Sequence, residues 1–252
     1  MSKNSYEVNL EDVIFRRATI DDNMEEIASL IYQTDPYIYP FWFNDDIEEA
    51  KRVLSKEIKK EGFIFYYENI YVAFDKESKK IVGMVCAIDP TTNLNYDYSE
   101  LENVNNNYKF TIEHYIKELI TEVEEKKYMY ISNVCIDVNY RSRRIGSRML
   151  KSFIEQMHNI AGFDKIGFDC LMHNLRAKNL YHGLGFKEVA EGIGFDGTEN
   201  STVEIVFFIK KRTKYTDEDF QMLPSSDVKK IDLEREKYLY DSLTVKKQSK
   251  KV

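Results

Sequence analysis

The chain has 252 residues, 43% of them hydrophobic and 13% aromatic, enough to bury one sizeable core or two small ones. A formal net charge of −7 sets aside nucleic acid and anionic membrane as partners drawn by overall charge. The opening "MSKNSYEVNLEDV" has no apolar signal core and no long apolar run occurs anywhere, so no membrane partner is expected and a cytoplasmic location is. The three cysteines, Cys86, Cys135 and Cys170, each lie in an apolar strand-like run without CxxC spacing, which reads as buried, reduced thiols.

Along the chain, residues 1–12 read as an extension, and "VIFRRAT" (13–19) as the first strand. Met24, Ile27, Leu30 and Ile31 repeat at helical spacing, with Asp22 and Glu25 as a capping-box variant ahead of them. Pro36 and Pro40 break "TDPYIYPFWF" into a loop, and Ile47, Ala50, Val53, Leu54 and Ile58 line a second helix that Gly62 ends. "NIYVAFD" and "KIVGMVCAID" make a hairpin around "KESKK". Residues 91–127 interrupt the sheet with an Asn/Tyr-rich segment and an amphipathic helix carrying Ile112, Ile116, Leu119, Ile120 and Val123. "YMYISNVCIDV" is apolar on both faces and so central. A helix follows with Ile145, Met149, Leu150, Phe153 and Met157 inward, then the strand "KIGFDCLM", a short helix closed by Gly185, and a last strand "VEIVFFIKK". The polar tail 213–252 has a weak helical stretch.

Between the central strand and its helix lies "NYRSRRIGSRML" (139–150), with arginines at 141, 143, 144 and 148. A strand feeding a helix through a tight turn presents unpaired N–H groups and the positive end of the helix dipole, a ready anion site. Ser142 can cap the helix or donate to a phosphate oxygen. The same arginines also suit a solvated helix start, so the loop by itself leaves both readings open.

Two stretches carry a resemblance. "NVCIDVNYRSRRIGSRML" resembles the central strand and the arginine/glutamine-x-x-glycine-x-glycine/alanine loop of the GNAT family of acetyl-CoA-dependent N-acetyltransferases, with Arg141 opening the loop and Gly146 closing it. "NLRAKNLYHGLGFKEV" is similar to a second segment of that family at Asn174, Ala177, Leu180, Tyr181, Leu184, Gly185 and Phe186. The resemblance covers residues 13–212, with 91–127 as an insertion. It implies a mixed α+β fold whose central sheet, flanked by helices, has splayed middle strands holding acetyl-CoA.

Ile136 and Val138 would then offer backbone to the pantetheine arm, the amides of Arg141, Ser142, Arg143, Arg144, Ile145, Gly146 and Ser147 would cradle the pyrophosphate, and Asn174 would cap its helix or bond the arm. Tyr181 would protonate the leaving thiolate, or else is a core tyrosine. Asp35, Tyr37 and Tyr39, within an aromatic run completed by Phe41, Trp42 and Phe43, would border a small amine acceptor or form a lid packed on the core. The chain departs from the family pattern at Val138, commonly proline, and at Ser142 and Arg144, where glycines are common. A side chain at 144 costs affinity if the position needs close backbone approach or an unusual dihedral, whereas in a helix's first turn an arginine is allowed and can pair a phosphate. No general base is readable among Asp137, Glu25 and Glu26, and His114, His158, His173 and His182 have no metal spacing and suit surface or capping roles. No metal is expected. The insertion would cover the acceptor cleft or contact a second copy in a homodimer. Alternative readings are a non-catalytic acyl-CoA-sensing or interaction module, and transfer to a protein lysine or N-terminus.

Overall fold

A computed structural model describes residues 11–36, 38–89, 94–97, 128–159, 163–195 and 202–211. Residues 1–10 of the extension, Tyr37, the amphipathic helix expected in the insertion and the tail 213–252 lie outside the described residues.

Strand β1 (Val13–Arg17) leads to helix α1 (Met24–Tyr32). The cap of α1 is Asn23, one residue later than the sequence suggests: its Oδ1 accepts from Glu25 N at 3.1 Å and Glu26 N at 3.4 Å. Asp22 instead takes both Arg16 guanidinium nitrogens, at 2.7 and 2.6 Å, and Thr19 N at 2.7 Å. The stretch expected as a loop holds a short helix, α2 (Ile38–Trp42). Pro40 is tolerated there because it falls in the first turn, where an N–H has no intrahelical partner. Helix α3 (Ile47–Glu57) starts at Asp46, whose carboxylate accepts from Glu49 N at 3.0 Å, and buries Ala50, Val53 and Leu54. Three helices, rather than two, therefore separate β1 from β2.

Strands β2 (Ile70–Asp75) and β3 (Lys80–Ile88) form the expected hairpin. They are followed by β4 (Met129–Ile136), α4 (Ile145–Asn159), β5 (Lys165–Leu171), α5 (Leu175–Gly183), β6 (Lys187–Phe195) and β7 (Thr202–Lys211). β6 was not expected from the sequence. Gly192, Gly194 and two glutamates dilute its strand signal, which suits the edge position it occupies.

The seven strands make one sheet in the order β1-β2-β3-β4-β5-β7-β6. All neighbours are antiparallel except β4 and β5. Helices α1–α3 cover one face, where Ile27, Ile31, Trp42, Val53 and Ile58 pack on Val72, Met84 and Cys86. On the other face α4 and α5 bring Met149, Phe153 and Tyr181 onto Val85, Ile131, Ile166 and Phe168. All five α4 positions expected inward are buried. The start of the insertion docks on the first face: Tyr96 packs on Phe63 with ring centroids 5.0 Å apart, and its hydroxyl bonds the buried Glu57 carboxylate.

Candidate active site

The parallel pairing of β4 and β5 is two residues long, Met129↔Ile166 and Tyr130↔Gly167. Beyond it β4 runs on to Ile136, paired to β3, and β5 to Leu171, paired to β7, without pairing each other, so the sheet forks at its centre. A bulge sits just past the fork: Cys86 pairs Asn133 while Ala87 pairs Ile131, leaving Ser132 as the extra residue on β4. Opposite residues of an antiparallel pair alternate between exchanging hydrogen bonds and not. Asp137 N donates to Val82 O at 3.0 Å. Counting back along the register, Cys135 and Asn133 bond toward β3, while the N–H and C=O groups of Val134 and Ile136 point into the fork. The Ile136 carbonyl accepts from Arg141 Nε at 2.9 Å. Val138 belongs to a short 3₁₀ turn, Val138–Tyr140, rather than to the strand, and is 61% exposed.

The loop leaves β4 at this point. Helix α4 makes its first hydrogen bond from Arg148 N to Arg144 O at 3.2 Å, so the amides of Ile145, Gly146 and Ser147 lie ahead of its ladder. Ser142 and Arg144 both have positive φ, 66° and 60°. The backbone at 144 is thus left-handed and not a first helical turn, and a side chain stands where glycine would be unstrained. Side chains hold this shape. Ser147 Oγ donates to Arg144 O at 2.9 Å, Arg176 donates to Ser142 Oγ at 3.1 Å, and the Arg143 guanidinium lies 5.4 Å from the Tyr140 ring centroid. Gly146 is held close to the fork, since a Cβ there would lie 3.3 Å from Ile136 Cγ1. Arg141, Ser142 and Arg144 are exposed, whereas the Ile145 side chain is buried and anchors the helix.

Helix α5 starts beside this loop. Asn174 is its cap, with Oδ1 accepting from Ala177 N at 3.1 Å. About two turns on, Tyr181 packs its ring against Phe168 at 4.3 Å and Phe208 at 5.5 Å. The ring is buried, but the hydroxyl is not sealed: among the described residues the single fully buried polar side-chain atom lacking a partner is His158 Nε2. Burial first, then Cys170 and Asp169 nearby, push the Tyr181 hydroxyl above its ordinary range, so it stays protonated at neutral pH. His158 is also the histidine that departs from expectation. It is buried at the end of α4 with Nδ1 bonded to Phe163 O at 2.7 Å, and not at the surface.

Of the residues expected on the acceptor side, Asp35 accepts from Ile38 N at 2.8 Å at the start of α2. Tyr39 is buried against Trp42 and Phe65, and its hydroxyl accepts from Asn133 Nδ2 at 2.8 Å. Burial also pushes the Cys135 thiol up to about 11, leaving almost no thiolate at neutral pH. No group of three or more histidine, cysteine or acidic residues suited to a metal occurs among the described residues, and no described helix is long and apolar enough to cross a membrane.

Three residues near the fork were not singled out from the sequence: Arg176, Asn133 and Asp169. The last two carry a usable signal, since each is a polar residue inside an otherwise apolar strand. Arg176 has none, because an arginine early in a helix looks like any solvated side chain.

The sequence matches the family model described as "Acetyltransferase (GNAT) family" over residues 31–186. Comparison with curated proteins finds no match. Among solved structures, an N-acetyltransferase from Staphylococcus aureus Mu50 superposes with a TM-score of 0.53 at 19% identity, covering 78% of this chain and 100% of that one. An agmatine N-acetyltransferase gives 0.51 at 14% identity, covering 80% and 100%. The spermidine/spermine N-acetyltransferase of Vibrio cholerae gives 0.50 at 15% identity, covering 83% and 99%. At these identities the likeness speaks for the fold.

Proposed function

Because the chain belongs to the GNAT acetyltransferase family, and is an acyltransferase by that membership, we propose that it moves an acetyl group from acetyl-CoA to a primary amine on a small molecule by direct attack. The observation that carries this reading is the fork between β4 and β5, which opens onto the loop 141–147 at the start of α4. Backbone groups of Val134 and Ile136, with those of Val138 just beyond, offer the amides of a pantetheine arm the pairing that β5 does not. The amides of the loop, helped by Arg141, Arg143 and Arg144, offer the pyrophosphate hydrogen bonds and positive charge. Gly146 fits this role, because its bare Cα brings the loop backbone within reach of the fork. Asn174, committed through Oδ1 to its helix, keeps its Nδ2 donor for the arm.

The chemistry needs a neutral amine, a stabilised oxyanion and a proton for sulfur. The amine nitrogen attacks the thioester carbonyl carbon, and an N–H in the fork at Val134 or Ile136 donates to the developing oxyanion. On collapse the C–S bond breaks, its electron pair goes to sulfur, and the sulfur takes the Tyr181 hydroxyl proton. The nitrogen's surplus proton returns to the Tyr181 oxygen, directly or through water. The products are the amide and free CoA, and the proton that an ammonium acceptor sheds before attack goes to solvent. Cys135 takes no part: a buried thiol held mostly protonated is a poor acyl acceptor. Thiol release from acetyl-CoA across a panel of primary amines tests the reading. Amine-dependent release by the wild type is expected, and Tyr181→Phe should lower turnover without changing acetyl-CoA affinity. Folded protein that binds acetyl-CoA yet acetylates none of a broad set of small amines would remove the small-molecule acceptor.

A further inference from the structure

Asn133 lies on β4 just past the bulge and is 8% exposed, the rare case of a polar side chain buried at the centre of this sheet. Its orientation follows from its neighbours. Thr34 Oγ1 donates its proton to Ile31 O at 2.6 Å, so it can only accept from Asn133, whose Nδ2 lies 2.7 Å away. The second Nδ2 proton goes to the Tyr39 hydroxyl oxygen at 2.8 Å. Both donors of the amide are therefore committed, one to Thr34 just after α1 and one to Tyr39 in α2, and Oδ1 is left as an acceptor without a partner among the described residues. That atom is not sealed, because it is absent from the fully buried unpartnered atoms. An oriented carbonyl beside the fork, held by two hydrogen bonds and short of a donor, is built to receive one.

Across the fork, Asp169 is the second residue of β5 after the last pair with β4. Its neighbour Phe168, like Ile166, belongs to the core under α4 and α5, so alternation along the strand turns Asp169 to the α1–α3 side, the side of Asn133. Tyr130, buried in the α1–α3 core, donates its hydroxyl to Asp169 Oδ1 at 2.8 Å and so orients the carboxylate. Asp169 is half-buried. The two strands that diverge at the fork thus each bring an acceptor group to the same face, while Tyr181 approaches from the opposite face.

We infer that Asn133 and Asp169 are the residues that receive the acceptor, and that the acceptor class is a cationic primary amine. An ammonium has three N–H donors and no acceptor, which matches a carbonyl oxygen plus a carboxylate; a hydroxyl or thiol acceptor brings a single donor. The electrostatic coupling between Asp169 and the Tyr181 hydroxyl agrees with the two lying on either side of one reaction centre. Tyr130 is a positioning residue, acting through the carboxylate it holds.

The inference rests on the acetyl-CoA reading above, and one experiment separates the two. Binding of S-(2-aminoethyl)-CoA and of its neutral counterpart S-propyl-CoA is measured by calorimetry on the full chain. The wild type should prefer the ammonium-bearing thioether by about tenfold, the size of a charge-assisted hydrogen bond. Asp169→Asn, close to isosteric, should bring the preference near unity with the affinity for S-propyl-CoA unchanged. Asn133→Leu should do the same wherever it folds, and Tyr130→Phe should reduce the preference only in part. Equal binding of the two thioethers by the wild type, or a preference that survives Asp169→Asn, overturns the assignment. Failure of folded wild type to bind either thioether overturns the acetyl-CoA reading itself, and the acceptor seat with it.

Discussion

The turn that closes α5 and the turn that opens α4 each need a left-handed residue, and they fill the position differently. At Gly185, φ is 84° and the residue is the one for which that conformation carries no side-chain penalty. Before α4 the same kind of backbone is held by Ser142 and Arg144, each at a cost of roughly 1 kcal/mol or more. The α5 turn is relaxed, and it follows the helix that carries Tyr181 into an aromatic cluster with Phe168, Phe186 and Phe208. The α4 turn is strained, exposed and tied down by Ser147, Arg176 and the Arg143–Tyr140 contact. The difference is one of build: a relaxed turn ends the helix that packs Tyr181, and a strained, arginine-rich turn leaves its amides and charges exposed, as the proposed reaction would require of each.

The largest expected effect strikes the fixed segment. Tyr181→Phe keeps the ring and its packing, so Tm and acetyl-CoA affinity should hold while kcat falls about 100-fold, the loss of one positioned proton donor. Unchanged kcat would make Tyr181 a core residue only. The same group makes a pH prediction. Its folded pKa is raised above the ordinary value of about 10, so the proton is retained as pH climbs, and no alkaline fall in kcat from Tyr181 should begin below about pH 10. A fall centred near pH 8 that Tyr181→Phe abolishes would contradict this.

Next in size is Gly185→Ala, which puts a Cβ into a left-handed position and about 2.9 Å from Lys210 Nζ. The lysine end can move, so the backbone dominates, and a loss of about 1–2 kcal/mol in unfolding free energy is expected from denaturant titration. The counterpart in the loop should have the opposite sign. Arg144→Gly relieves strain and should stabilise the fold by up to about 1 kcal/mol, whereas Arg144→Ala keeps the strain and should leave stability nearly unchanged. Both remove the guanidinium, so both should weaken acetyl-CoA binding by several-fold and lessen its salt dependence. Tighter binding by Arg144→Gly than by the wild type would mark the arginine as an obstruction. The smallest effect is Arg176→Ala, which removes one exposed bond to Ser142 and should cost under about 1 kcal/mol.

Most of the sheet was legible because its strands carry dense apolar runs; β6 was not, because glycines and glutamates at an edge strand leave little pattern. α2 was missed for a related reason: two prolines read as loop, although one of them sits where a helix accepts proline. The loop by itself left two readings open, and both it and Asn174–Phe186 were read through their resemblance to the family's motifs, at Arg141 and Gly146 and at Asn174, Ala177, Leu180, Tyr181, Leu184, Gly185 and Phe186. The conformation at 144 was not legible, since arginine suits a helix start and says nothing of a positive φ. Asn133 and Asp169 show the other limit. Their strands were recognised, but their meaning depends on a fork that begins two residues into a parallel pair, and no local pattern encodes where two distant strands part.

Calorimetric titration of the full chain with acetyl-CoA tests the central claim most directly. Saturable binding at one site per chain, weakened by added salt and by Arg144→Ala, is the predicted result. No heat of binding from protein that is folded by circular dichroism would contradict it.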